Sequence, residues 1–244
     1  NMAFMETSAL EKTNINRAFV WCCASKQMMP NASATAPSNV EDLIILSVRA
    51  ALHIAVRETV HEVGSAGGFN DNPARHIKIP DALGHVMDNV KPLPGVGDTV
   101  NGFERKVNNA AEAAAGSCAH IFSNSLGQLD FLDAEAILDG ADDAATNIFR
   151  ERRGGELLAK FAPIVREKMG ELGVVSVFET ITDAFASIPL IGKKVEFDLY
   201  DYVCNKAFEG FFSVLAEFEG KVRNTPAMRQ NNQVLQEVFG SKKK

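Results

Sequence analysis

From Asn39 onward, apolar residues recur at three- and four-residue spacing almost throughout, interrupted by short loops. No segment sustains the two-residue alternation of a half-buried strand. That rhythm allows helices burying one face each and offers no sheet for them to pack on. The expected fold class is therefore all-α: a single multi-helix domain over residues 40–244, preceded by a flexible N-terminal arm and linker over 1–39.

The elements follow from punctuation. Asn39 can cap a helix with Ile44, Val48, Ala51, Leu52, Ala55, Val56 and Val63 on its inner face, and Gly64-Ser65-Ala66-Gly67-Gly68 ends it. Phe69 to Pro80 is turn-rich, with a short extended piece before the proline. A short helix is expected over Ala82 to Val90, then a loop from Lys91 to Asp98 feeding a long helix. Phe103, Val107, Ala110, Ala114, Cys118, Ile121 and Phe122 form that helix's single stripe. Asp130 and Asp133 make a capping-box-like start, with Ile137 and Leu138 on the apolar face and Asp139-Gly140 at the end. Asp142 starts the next helix, carrying Ile148 and Phe149. A loop is expected at Gly154-Gly155, before Leu157, Phe161, Val165 and Met169. Val174, Val177, Phe178, Ile181 and Phe185 precede a stop at Pro189 and Gly192. Leu199 to Phe218 then carries a dense aromatic face, broken by Thr225-Pro226, and Val234 to Phe239 closes the chain.

Composition removes several functions. With 46% hydrophobic and 23% charged residues, the 244-residue chain has the balance of a soluble globular protein. Its net charge of −6 argues against a nucleic-acid surface, which needs a basic face; Lys242, Lys243 and Lys244 read as a solvated end. No apolar run, Leu43 to Leu46 included, approaches the ~20 residues of a membrane-spanning helix. No secretory signal is expected. Cys22, Cys23, Cys118 and Cys204 have neither CxxC pairing nor metal spacing, and fit a reduced, intracellular protein.

The candidate chemistry is thin. Asp142 and Asp143 could share a proton or bind a cation with Asp139, as in a carboxylate-dependent hydrolase, but helix capping explains both. His53, His61, His76, His85 and His120 show no zinc spacing. Gly95-Val96-Gly97-Asp98 lacks the strand that a dinucleotide loop follows. Arg150, Arg152 and Arg153 beside Gly154-Gly155 are the best candidates for contacting an anion or an acidic partner. Phe208, Phe211 and Phe212 are expected in the core, or, alternatively, around a pocket for an apolar small molecule. Tyr200 and Tyr202 flank Asp201 as a hydroxyl–carboxylate network or a surface alternation. No cofactor or metal is expected.

Phe4 to Phe19 resembles the last guanine-binding loop and following helix start of Rab-type small GTPases. No GxxxxGK[ST] loop and no NKxD motif accompanies it, so GTP is not expected. Phe4, Ile15, Phe19 and Trp21 read instead as a docking arm, joined to the body by the proline-bounded linker Met28 to Asn39.

Further blocks carry a second resemblance. Phe69-Asn70-Asp71-Asn72-Pro73 with Ile79-Pro80, Asp133 to Arg150, Phe161-Ala162-Pro163-Ile164-Val165, Leu199 to Val203 through Gly210-Phe211-Phe212, Glu217 to Pro226 and Val238-Phe239-Gly240 are similar to those of a largely bacterial, all-helical family, the domain of unknown function 4197. The resemblance covers residues 40 to 240 and implies an all-helical fold, with no catalytic residue to carry over. Bacterial members commonly look exported. The function expected on these grounds is a non-enzymatic structural or interaction subunit of a larger intracellular assembly, with protein partners, in the cytoplasm, a cilium or an organelle of bacterial descent.

Overall fold

Each apolar stripe of the body becomes a helix, and no strand occurs among the described residues. The computed structural model describes residues 40–127, 136–229 and 232–240. Phe4, Ile15, Phe19 and Trp21, the Asp130–Asp133 start and the terminal lysines lie outside them. Helix α1 is Val40–Val63, α2 Asp81–Val90, α3 Gly97–Ser117 and α4 Ala119–Leu126. A short helical turn over 136–139 precedes α5, Ala144–Glu171; α6 is Val174–Ala186 and α7 Leu199–Asn224. A 3-10 turn, Pro226–Arg229, leads to α8, Gln233–Gly240. The all-α expectation holds. No helix of the described residues is long and apolar enough to cross a membrane.

Two boundaries differ from the sequence reading. The stripe from Phe103 to Phe122 is two helices, parted at Cys118. Gly116 lies against Gly64, where a Cβ on Gly64 would stand 2.6 Å from the Gly116 Cα. The next residue, Ser117, turns its hydroxyl back onto the Ala113 carbonyl at 2.9 Å. A close glycine contact and a back-bonding serine together weaken helix continuity, and α3 stops there. Conversely, no loop forms at Gly154-Gly155: α5 runs through both, and through Pro163. Gly154 is buried, and burial at every fourth position from Leu157 to Met169 favours one helix. That packing outweighs a propensity penalty of about 1 kcal/mol per glycine.

The chain gathers into two compact units. Among the described residues, the first comprises those up to Arg57, those between Phe122 and Arg153 and those from Leu215 onward; the second comprises Glu58–Ile121 and Gly154–Val214. The first is centred on Ala51, Ile54, Val222, Leu235 and Phe239, with Leu138, Met228 and Val238 packed against them. In the second, α6 packs on α2 and α3, where Phe103 stacks on Phe178 at 6.0 Å and His85 meets Phe185 edge-on at 5.9 Å.

Candidate functional site

Helix α3 fixes the loop after α1 in the second unit. Glu104, Asn108 and Glu112 are spaced four apart and so share a helix face. Glu112 Oε1 accepts the backbone N–H groups of Phe69 (3.0 Å) and Asn70 (2.9 Å). Asn108 accepts from the Ile77 N–H at 2.8 Å and donates to the Ile77 carbonyl at 2.9 Å, as a neighbouring strand would. Glu104 Oε2 accepts the Ile79 N–H at 3.0 Å. The loop has no regular structure of its own, so these side chains satisfy its backbone. The Tyr202 hydroxyl adds a bond to the Lys78 carbonyl at 2.7 Å, and Tyr200 lies under Arg166, so the two tyrosines do not form a network with exposed Asp201.

His76 is the most chemically suggestive side chain of this loop. Its Nδ1 lies 3.0 Å from the Asn70 carbonyl and its Nε2 2.7 Å from Glu104 Oε1. Both partners are acceptors, so both bonds coexist only when the ring carries two protons. Such an imidazolium has no lone pair for a metal or for general-base work. The bond to Glu104 holds the His76 ring above its usual pKa range, outweighing its partial burial. Burial pushes the Glu104 carboxyl up, but the His76 and Ile79 bonds outweigh it and leave it below its usual range.

The two shifts bound a pH window. The His76 contribution is complete below the unfolded value of about 6.5 and is lost as pH rises through the raised folded value. The Glu104 contribution is complete above about 4.3 and is lost as pH falls through its lowered folded value. Stability against pH should therefore fall on an alkaline limb above 6.5, and His76→Gln should flatten that limb. Denaturation midpoints across the range check this; an unchanged limb in the variant would refute it.

The first unit holds a buried charge network. Glu219, on α7, accepts from the N–H groups of Ala145 (2.8 Å) and Thr146 (2.7 Å) and from the Thr146 hydroxyl (2.7 Å). It therefore caps α5, the role expected of Asp142. Asp142 instead accepts from the Asn224 amide at 2.7 Å. Arg223 pairs with Glu219 at 2.8 Å and donates to the Ile137 carbonyl at 2.6 Å. Arg229 binds the carbonyls of Val222, Arg223 and Phe239. Burial raises the Glu219 carboxyl, but every group facing it is a donor, and the carboxylate is the form that accepts them all.

The other sequence candidates are dispersed. Arg150 and Arg152 are exposed and Arg153 half-buried on α5, and none of the three is without a partner. Positions 150 and 152 point to different sides of a helix, so the three do not converge as a set. Phe208, Phe211 and Phe212 are buried, with Phe208 4.8 Å from Phe212 and 6.2 Å from Phe161 between ring centres. Burial pushes the Cys118 thiol up to about 12 and, with Asp201 nearby, Cys204 up to about 11, so neither is a ready nucleophile. No three His, Cys, Asp or Glu side chains among the described residues form a metal set.

One segment behaves differently. After α6 the chain turns sharply: the Ile188 N–H binds the Phe185 carbonyl (3.1 Å) and the Gly192 N–H binds the Ile188 carbonyl (2.8 Å). A Cβ at Gly192 would meet three carbonyl oxygens at 2.5–2.6 Å, so only glycine closes this turn. At its tip Leu190 has φ +71° and is fully exposed (106%), beside half-exposed Ile191. Exposed Lys193 and Lys194 follow. The segment returns to the body through Phe197, set 6.4 Å from the Phe178 ring and 5.5 Å from that of Tyr202. Asp198 then accepts the Asp201 N–H at 2.9 Å at the start of α7. In the sequence Pro189 and Gly192 mark only a helix stop. The overlooked signal was an apolar pair inside a proline–glycine turn, where polar residues are the rule.

Neither a curated protein nor a solved structure matches the chain. A family described as "Protein of unknown function (DUF4197)" matches residues 39–240, the span of the helical body. The match covers well over half of the chain and agrees with its all-helical architecture, and the chain belongs to this family.

Proposed function

We propose that the protein is a non-enzymatic interaction subunit of a larger assembly, docking through the turn at residues 188–194. The observation that carries this reading is Leu190. A leucine at positive φ costs of order 1–3 kcal/mol, and in the open it recovers none of that by burial. Strain of this kind persists where the surrounding turn enforces it, and it concentrates at functional positions. The use of Glu104, Glu112, Glu219 and His76 to hold backbone groups supports a structural rather than catalytic employment of the polar side chains. Residues 1–39, with Phe4, Ile15, Phe19 and Trp21, remain a second docking element on the strength of their sequence.

The test is a loop variant, Leu190→Gly with Ile191→Ser. Glycine suits the φ at 190 and both side chains reach solvent, so folding stability should stay within about 0.5 kcal/mol. In gently lysed source material the natural chain should migrate with a large complex and the variant at its monomer mass. Equal migration of the two would reject the docking role of this turn.

A further inference from the structure

We infer that the surface this turn fits is the anionic face of a lipid bilayer, with Leu190 and Ile191 entering the acyl boundary and Lys193 and Lys194 meeting the headgroup phosphates. The inference rests on the preceding reading that the turn is a docking element.

The order of side chains away from the tip carries the argument. The apolar pair comes first along the chain, with Leu190 fully and Ile191 half exposed. The two lysines come next and are both exposed. The acidic residues Glu196 and Asp198 come last, on either side of Phe197, which holds the segment to the body. A bilayer surface presents the complementary order with depth: anionic headgroups outside, hydrocarbon beneath. Lysine suits the middle layer because its aliphatic stem accompanies the apolar tip inward while the amine stays among the phosphates. A cleft in a protein partner would accept Leu190 and Ile191 without requiring two adjacent cations. A chain of net charge −6 is repelled by an anionic surface, so approach requires a local positive patch beside the inserting group. The backbone bonds of Ile188 and Gly192 hold the turn in place, so docking orders little that is not already ordered. Two apolar side chains and two cations make a reversible contact that responds to salt and to lipid charge.

Flotation of the full chain with vesicles tests this directly. Vesicles of phosphatidylcholine mixed with phosphatidylglycerol should carry the protein, and vesicles of phosphatidylcholine alone should not. Salt should release it. Lys193→Ser with Lys194→Ser should weaken partitioning about 30-fold, the product of roughly equal contributions from two lysines at an anionic surface. Leu190→Gly with Ile191→Ser should abolish it. Binding that survives both variants overturns the inference, since another part of the chain then makes the contact. If the natural chain ignores vesicles while the apolar variant still leaves the large complex, the lipid assignment fails and the docking reading stands with a protein partner. If vesicles are ignored and complex migration is also unaffected, both fail together.

Discussion

Glu219→Ala should destabilise the protein by about 3–5 kcal/mol, a large share of the roughly 5–15 kcal/mol that holds a typical domain folded. The substitution leaves the Arg223 guanidinium buried without its 2.8 Å partner. It also strips the Ala145 and Thr146 N–H groups of their acceptor at the first turn of α5. Chemical denaturation should show a lower midpoint with an unchanged slope. Glu219→Met combined with Arg223→Met should cost less than Glu219→Ala alone, because no uncompensated charge remains. The double variant should still fall short of the natural protein, since the two amides stay orphaned. A single substitution costing under 1 kcal/mol would mean that the carboxylate is not the cap of α5.

The second large effect concerns Glu112. Glu112→Ala removes the acceptor of two backbone N–H groups, at Phe69 and Asn70, the first of them buried. A buried donor left without a partner costs about 1–3 kcal/mol, so the pair should cost about 2–4 kcal/mol. Glu112→Gln is the informative control. Both backbone bonds end on Oε1, an atom that glutamine keeps, so this variant should lose under about 1 kcal/mol. Amide exchange at Phe69 and Asn70 should accelerate in the alanine variant and stay slow in the glutamine one. Equal losses in the two would show that charge, rather than the accepting oxygen, holds the loop.

These two glutamates also mark how far the sequence could be read. Helix stripes were legible because burial periodicity is local: Val48, Leu52, Val56, Leu157, Phe161, Phe208 and Phe212 are all buried on the faces expected of them. The loop at Gly154-Gly155 was misplaced because propensity weighs a glycine pair by itself, whereas packing on either side carries α5 through it. The cap of α5 was misassigned for a different reason. A local rule selects Asp142, but the acceptor that reaches the N–H groups is Glu219, 74 positions from Ala145. No short window of sequence contains both ends of that bond. His76 and Glu104 are likewise 28 positions apart. The turn at residues 188–194 is legible in principle, since Leu190 and Ile191 between Pro189 and Gly192 break the polar habit of turns, but the strained φ at Leu190 belongs to the backbone alone.

The distance between Ala145 and Glu219 has a consequence for how the protein is made. Synthesis proceeds from the N-terminus at about 5–20 residues per second, so the capping carboxylate is added roughly 4–15 s after the amides that need it. Throughout that interval the nascent α5 has an open first turn. Helix–coil relaxation in isolated peptides takes about a microsecond, so this turn melts and re-forms many times before residue 219 is polymerised. The start of α5 thus becomes permanent only when residue 219 arrives, and a ribosome that stalls ahead of the codon for that glutamate leaves it unfinished.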